Sequence, residues 1–223
     1  FTAHQYYLEN TNILCTEITS AEGKYRVTDF APRFHQFERN FKPLMLIRKI
    51  EPLDGLPRVR VMCKPVSEYG ATRLSPVLGS NHIEYPGTDD KIRLNTKIPI
   101  SYITYQQYFM MNETRYLLLT YGAPLEAPLE STAERFLRET SFYWRNWIRQ
   151  SSIVAFHQPF IIRSALTLKI HQFEDTGAII AASTTSLLEF MGRGRNWEYR
   201  FCWLRDTYSV ITSLNQLGHL KEL

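Results

Sequence analysis

The chain has 223 residues, of which 44% are hydrophobic and 22% are charged, and its formal net charge is +4. This composition is typical of a soluble protein that buries a sizeable core in one domain or two. The mild charge, without a tract of Lys and Arg, argues against nucleic-acid binding. Apolar runs are too short for a membrane span or a signal peptide. We therefore expect neither nucleic acid nor a membrane among the partners.

Three cysteines, Cys15, Cys63 and Cys202, lie far apart and show no CxxC spacing. An odd, sparse count argues against a disulfide scaffold and against a zinc site. The six histidines form no HxH or HxxxH pair. We expect three buried thiols in a reducing, cytoplasmic compartment, with no metal and no cofactor.

The first part of the chain predicts short strands separated by turns. The turn signals are Glu22-Gly23 and Asp54-Gly55, with Pro52 ending one strand. The predicted strands are residues 12–18, 24–30, 44–50, 58–63, 91–100 and 115–121. Many short strands in succession are typical of an antiparallel sandwich. This part carries no catalytic constellation, and packing is its expected role.

The composition changes after Pro124 and Pro128, where helical patterns begin. Ser131 and Glu134 have the spacing of a capping box and predict a helix start. The residues that follow at three- and four-residue spacing are Phe136, Thr140, Tyr143, Trp144, Trp147 and Ile148. Although the two tryptophans could stack on a ligand, this spacing favours a buried stripe on one helix face.

Two further helices are predicted. One begins around Pro159 and ends before Gly177, and the other begins near Asp206-Thr207 and stops at Gly218, with residues 181–186 as a loop between them. Strands followed by helices indicate separate β and α regions rather than βαβ units.

Residues 195–206 combine four aromatic rings, three arginines and two acids. Cores rarely hold so many charges, and charged surfaces rarely hold so many rings. Aromatic faces beside charged hydrogen-bonding groups suit a hydroxyl-rich ligand such as a sugar. The residues alone leave a structural alternative open. Asp206 could cap the last helix, and Arg205 could pair with Glu198 or Asp206.

The segment 196–206, which reads NWEYRFCWLRD, resembles the signature of bacterial glycoside hydrolase family 15, the glucoamylases, glucodextranases and some trehalases. The segments 184–189, 163–169 and 176–179 also resemble that family, as do 27–30 and 143–145. Glu198 and Phe201 stand where the family usually has Asp and Tyr, and Leu188 stands where it has Pro. These departures bear on the sub-specificity more than on the family.

The resemblance implies a fold in three parts. Residues 1–130 would form an N-terminal β-sandwich, residues 131–156 a linker helix, and residues 157–223 the start of an (α/α)₆ barrel, with both ends of the chain looking incomplete. It also implies an α-glucoside or oligosaccharide as substrate, hydrolysed with inversion by two carboxylic acids. Both acids are expected outside this chain, so none of its residues is predicted to be catalytic.

The resemblance assigns substrate binding to four residues. Arg205 and Asp206 match a pair that grips hydroxyls of the non-reducing glucose, Trp203 matches a ring that lines its pocket, and Tyr199 matches a tyrosine beside the reacting centre. The alternative function is a carbohydrate-binding or scaffolding module without catalysis. The sequence does not choose among starch ends, dextran, trehalose or a glucolipid, nor does it predict the oligomeric state.

Overall fold

The computed structural model describes residues 1–125, 127–183 and 197–219. The resemblance noted at residues 184–189, and the first two residues of the aromatic segment, Arg195 and Asn196, therefore lie outside the described residues. The described part divides into two compact units. The first comprises Phe1–Glu9 and Ile13–Tyr143, and the second comprises Asn10–Asn12 and the chain from Trp144 onward.

The first unit is built mainly from short strands, and the second mainly from helices. In chain order the strands are β1 (Thr2–Tyr7), β2 (Leu14–Thr19), β3 (Gly23–Phe30), β4 (Phe34–Gln36), β5 (Arg39–Phe41), β6 (Met45–Gly55), β7 (Arg58–Val59), β8 (Val66–Ser67), β9 (Thr72–Arg73), β10 (Val77–Leu78), β11 (His82–Tyr85), β12 (Ile92–Thr96), β13 (Phe109–Met110), β14 (Arg115–Tyr121), β15 (Gln172–Phe173) and β16 (Ala178–Ile179). The α-helices are α1 (Ile100–Thr104), α2 (Leu129–Arg149), α3 (Gln158–Ile170) and α4 (Leu204–Gln216), and Glu68–Gly70 form a 3₁₀ turn.

A large antiparallel sheet organises the first unit. Its eight strands lie in the order β1-β2-β3-β6-β14-β12-β11-β10, and each is antiparallel to its neighbours. The predicted antiparallel class is therefore confirmed, and the sheet is consistent with a sandwich-like domain. The main core cluster contains Ile50, Val59, Leu74, Ile83, Tyr85, Leu94, Ile98, Ile103, Met111 and Leu117.

Three predicted strands end at other residues in the structure. The strand predicted over residues 91–100 ends at Thr96, because Pro99 is the N-cap residue of α1, which begins at Ile100. β6 continues past Pro52 to Gly55, because a β-bulge shifts its register with β3 between Lys24 and Tyr25 and accommodates the proline, which has no N–H to donate. The strand predicted over residues 58–63 stops at Val59. Val59, Val61 and Cys63 alternate with basic residues in the sequence, a period typical of a strand. Val61 and Cys63 do pack partly buried against the core cluster, although they belong to no paired strand.

Helix α2 begins at Leu129, two residues before the predicted capping box. That prediction is wrong because Ser131 lies within the first turn, while Glu134 contacts the sheet. Its carboxylate accepts a 2.6 Å hydrogen bond from the Tyr116 hydroxyl and lies 2.8 Å from the ammonium of Lys49. The predicted stripe of α2 is confirmed, since all six of its residues are buried.

In the second unit, α3 begins with Pro159 in its first turn, as predicted. Gly177 does not follow the end of this helix. It lies at φ +75° in the turn between β15 and β16, where its N–H donates to the carbonyl oxygen of Phe173 at 2.8 Å. Helix α4 starts at Leu204, two residues before its predicted start, and Gly218 follows it at φ +83°. Throughout the described ranges, every helix is too short or too polar to cross a membrane.

Neighbouring residues of β6 provide a matched test of the sheet. Ile47 is fully buried opposite Leu118, whereas Leu46, on the other face, is 44% exposed. We expect Ile47→Ala to lower the free energy of unfolding by about 2–5 kcal/mol, because it leaves a cavity in the core. Leu46→Ala should cost about 0.5 kcal/mol. Urea unfolding of the 223-residue chain, followed by far-ultraviolet circular dichroism, measures both. Equal losses would contradict this register.

Candidate functional site

Backbone pairing holds the aromatic segment in place ahead of α4. The N–H of Ala182 donates to the carbonyl oxygen of Tyr199 at 2.8 Å, and the N–H of Ala181 donates to that of Phe201 at 3.2 Å. The chain just after β16 thus runs beside residues 199–201. This pairing fixes where the turn of the segment lies and where α4 can begin.

Glu198 closes that turn. Its carboxylate accepts hydrogen bonds from the backbone N–H of Arg200 at 3.0 Å and from the Arg200 guanidinium at 2.8 Å on each oxygen. The guanidinium and the backbone N–H of Arg200 together lower the pKa of Glu198 to about 2. Glu198 therefore pairs with Arg200, and the predicted alternative of a pair with Arg205 is wrong.

Two aromatic rings lie beside Trp203. Its indole N–H donates to the carbonyl oxygen of Glu198 at 2.9 Å, which fixes the ring orientation. The Tyr199 ring lies 6.0 Å away with a 35° tilt, and the Trp197 ring lies 5.8 Å away at 90°. Because its N–H is already used, Trp203 offers a ligand its ring face rather than a donor.

Arg205 and Asp206 lie in the first turn of α4. One guanidinium nitrogen of Arg205 is 3.3 Å from a carboxylate oxygen of Asp206, and the two side chains are 80% and 32% exposed. The positive end of the helix dipole favours a carboxylate at this place. The N-cap residue is Trp203, in extended conformation, so the alternative in which Asp206 caps the helix is wrong. Both side chains lie at the surface, where a polar ligand can reach them.

Thr207 joins the start of α4 to β16, a contact that sequence reasoning missed. Its hydroxyl lies 3.4 Å from the carbonyl oxygen of Ile179 and 3.3 Å from the sulfur of Cys202. Hydrogen bonds from the Thr207 hydroxyl and from the backbone of Ile179 lower the pKa of the Cys202 thiol. Cys202 is exposed, so the expectation of three buried thiols is wrong there, and Cys63 is only half-buried.

A buried ion pair supports the β15–β16 hairpin. The ammonium of Lys169 lies 3.0 Å from the Glu174 carboxylate and donates to the side-chain oxygen of Gln172 at 2.9 Å. The side chains of Lys169 and Glu174 are 2% and 10% exposed. In the sequence, Lys169 falls on the helical period of Ile162, Ala165, Leu166 and Ile170. A lysine within that apolar period was the available signal for a buried partner.

The comparisons with known proteins agree with the sequence signature. Residues 155–223 match the family model described as glycosyl hydrolases family 15. The trehalase of Thermoplasma volcanium is 32% identical over 98% of this chain and 36% of its own length. The trehalase of Thermoplasma acidophilum is 30% identical, with coverages of 98% and 38%. Trehalase 1 of Sulfolobus acidocaldarius is 29% identical, with coverages of 100% and 37%.

These matches are to a glycosyl hydrolase family and to trehalases. The family model matches residues 155–223, and the relatives extend the similarity along nearly the whole chain, so the predicted resemblance to glycoside hydrolase family 15 is confirmed. The chain spans a little more than a third of the length of these relatives. No solved structure matches it.

The buried ion pair under the hairpin gives a direct test of the second unit. We expect Lys169→Met to lower the free energy of unfolding by about 3–5 kcal/mol, because the buried Glu174 carboxylate then loses its ion pair with Lys169. The double variant Lys169→Met/Glu174→Gln should recover much of the loss. Urea unfolding followed by tryptophan fluorescence reports on this unit, since all four tryptophans belong to it.

Arg149→Met is the matched control, because it removes an exposed cation of the same unit at the end of α2. It should cost no more than about 1 kcal/mol. The double variant could instead lose a free energy of unfolding equal to the sum of the losses in Lys169→Met and Glu174→Gln. Such additivity would show that the two side chains do not stabilise the hairpin as a pair.

Proposed function

We propose that this chain is the N-terminal portion of an inverting α-glucoside hydrolase that releases glucose from non-reducing ends, and that it supplies the glucose-binding edge of the site. In this proposal residues 1–130 form a β-sandwich domain, residues 131–156 a linker helix and residues 157–223 the start of an (α/α)₆ barrel. One observation carries the proposal: two aromatic rings, Tyr199 and Trp203, lie directly before an exposed Arg205–Asp206 pair at the start of α4.

Arg205 and Asp206 are proposed to bind glucose hydroxyls. The guanidinium presents only donors and the carboxylate only acceptors, so together they can serve both sides of a hydroxyl group. Such charge-assisted hydrogen bonds are shorter and stronger than neutral ones. The 3.3 Å contact within the pair holds both groups while leaving most of the guanidinium exposed.

Trp203 and Tyr199 are proposed to cover the same glucose ring. An aromatic face packs well against the C–H face of a sugar, and the Trp203 indole is held for this role by its bond to Glu198. Tyr199 is proposed to lie beside the reacting carbon. There its oxygen would favour the positive charge that develops on the sugar in the transition state.

Hydrolysis with inversion needs two carboxyl groups on opposite faces of the bond. One protonates the leaving oxygen, and the other activates the water that attacks the sugar. Glu198 is held by Arg200 with a pKa of about 2, so it is ionised near neutral pH and unsuited to donate that proton. We therefore propose that both catalytic acids belong to parts of the protein outside this chain, and that the chain alone is inactive.

Trehalose is the substrate that we propose first, because the similar proteins named above are trehalases. It is an α,α-linked disaccharide of glucose, so the proposed glucose site can hold either of its rings. Maltose, starch ends and dextran offer the same terminal glucose and belong in the same test.

The test compares the complete protein with the isolated 223-residue chain on trehalose, maltose, soluble starch and dextran. We expect the complete protein to hydrolyse trehalose. Proton NMR should show β-glucose, from the ring that water attacks, and α-glucose, from the leaving ring, in equal amounts as the first products. The chain alone should release no glucose above a buffer blank. A complete protein that binds these sugars without hydrolysing any of them would instead be a carbohydrate-binding module. Turnover by the isolated chain would contradict the placement of the catalytic acids.

The glucose-binding edge predicts a selective loss of activity. In the complete protein, Arg205→Ala and Asp206→Ala should each lower kcat/KM by about 10² or more, because sugar hydroxyls and the remaining partner lose their hydrogen bonds. Arg138→Ala, which removes an arginine side chain that is 71% exposed on α2, is the control and should leave kcat/KM unchanged. Circular dichroism confirms that each variant is folded. Near-normal turnover by a folded Asp206→Ala protein would exclude the binding role.

A further inference from the structure

Trp197 has no role in the proposed function, although its ring contacts the proposed sugar-binding ring of Trp203. It is 49% exposed, although tryptophan is highly buried on average. It is also not isolated, since its ring contacts Trp203 at 5.8 Å. A large exposed ring beside a proposed sugar-binding ring offers a second apolar surface at the same site.

The two indoles are perpendicular, with an interplanar angle of 90°. Trp203 cannot turn freely to change this angle, because its N–H is bound to the carbonyl oxygen of Glu198 at 2.9 Å. Glu198 is in turn held by the backbone and guanidinium of Arg200. The orientation of Trp203 is therefore fixed by the turn. Together with Trp197 it presents two apolar ring faces that point in different directions.

A disaccharide has two rings, and those of an α,α-linked glucose pair are not coplanar. One flat aromatic surface can cover only one of them, whereas two perpendicular faces can cover both. Trp203 lies two residues before Arg205 and is the N-cap residue of the helix that carries the Arg205–Asp206 pair, so we assign the glucose bound by this pair to the face of Trp203. The face of Trp197 remains for the second ring.

We propose that Trp197 binds the leaving sugar ring of the substrate and so selects disaccharides over glucosides with small leaving groups. This inference rests on the proposed function, because it takes Trp203, Arg205 and Asp206 as the site of the glucose that is released by hydrolysis. It adds a subsite for the other product and a residue that determines specificity.

The experiment measures kcat/KM of the complete protein and of Trp197→Leu on two substrates. Trehalose has a leaving glucose, whereas α-D-glucosyl fluoride places only fluoride at that subsite. We expect Trp197→Leu to lower kcat/KM for trehalose about tenfold or more, and to change that for the fluoride by less than about twofold. Trp197→Phe, which keeps an aromatic face, should retain most of the activity on trehalose.

Phe160→Leu is the matched control, because this aromatic side chain is 75% exposed in the same unit but lies on α3. It should leave both substrates unaffected. An equal loss on trehalose and on the fluoride would assign Trp197 a structural role and overturn the inference, as would unchanged activity on both. Failure of the wild-type protein to hydrolyse either substrate would instead refute the proposed function, and the inference with it.

Discussion

The candidate site depends on the pairing of the chain after β16 with the aromatic segment. The backbone N–H groups of Ala181 and Ala182 bind the carbonyl oxygens of Phe201 and Tyr199, and this pairing sets the place of the turn that Glu198 closes. The turn then orients Trp203 through its indole N–H. Because Trp203 is also the N-cap residue of α4, the same pairing decides that Arg205 and Asp206 fall in the first helical turn.

The β15–β16 hairpin connects a buried ion pair of the second unit to the start of α4. Lys169 of α3 forms a buried ion pair with Glu174, which lies in the turn between β15 and β16. The carbonyl oxygen of Ile179 in β16 accepts a hydrogen bond from the hydroxyl of Thr207 at the start of α4. Burying an ion pair costs desolvation energy, and replacing it with apolar residues is often neutral or stabilising. We therefore infer that the ion pair mainly fixes the position of the β15–β16 hairpin. The chain that follows this hairpin pairs with the segment that carries Tyr199 and Trp203.

The sequence predicted the features whose physical signals are local and repeated. The strand predicted over residues 115–121 and the three- and four-residue spacing along α2 each extend over several residues, and the structure agrees with both. Two-residue strands such as β8 and β9 carry too few residues for a pattern, so they were missed. Glu134 has the local signal of a helix cap, but its carboxylate binds Tyr116, which is distant in the chain. Gly177 has the local signal of a helix end, but it lies in a hairpin turn at positive φ. The grouping of Tyr199, Trp203, Arg205 and Asp206 follows from one short segment, whereas the support from Lys169 and Thr207 comes from folding and has no motif.

The central claim is that the start of α4 binds the glucose that hydrolysis releases. A crystal structure of the complete protein with bound glucose tests it most directly. Glucose hydroxyls should lie within hydrogen-bond distance of the Arg205 guanidinium and the Asp206 carboxylate, with the sugar ring against the face of Trp203. Glucose bound at another place, with Arg205 and Asp206 contacting only protein atoms, would contradict it.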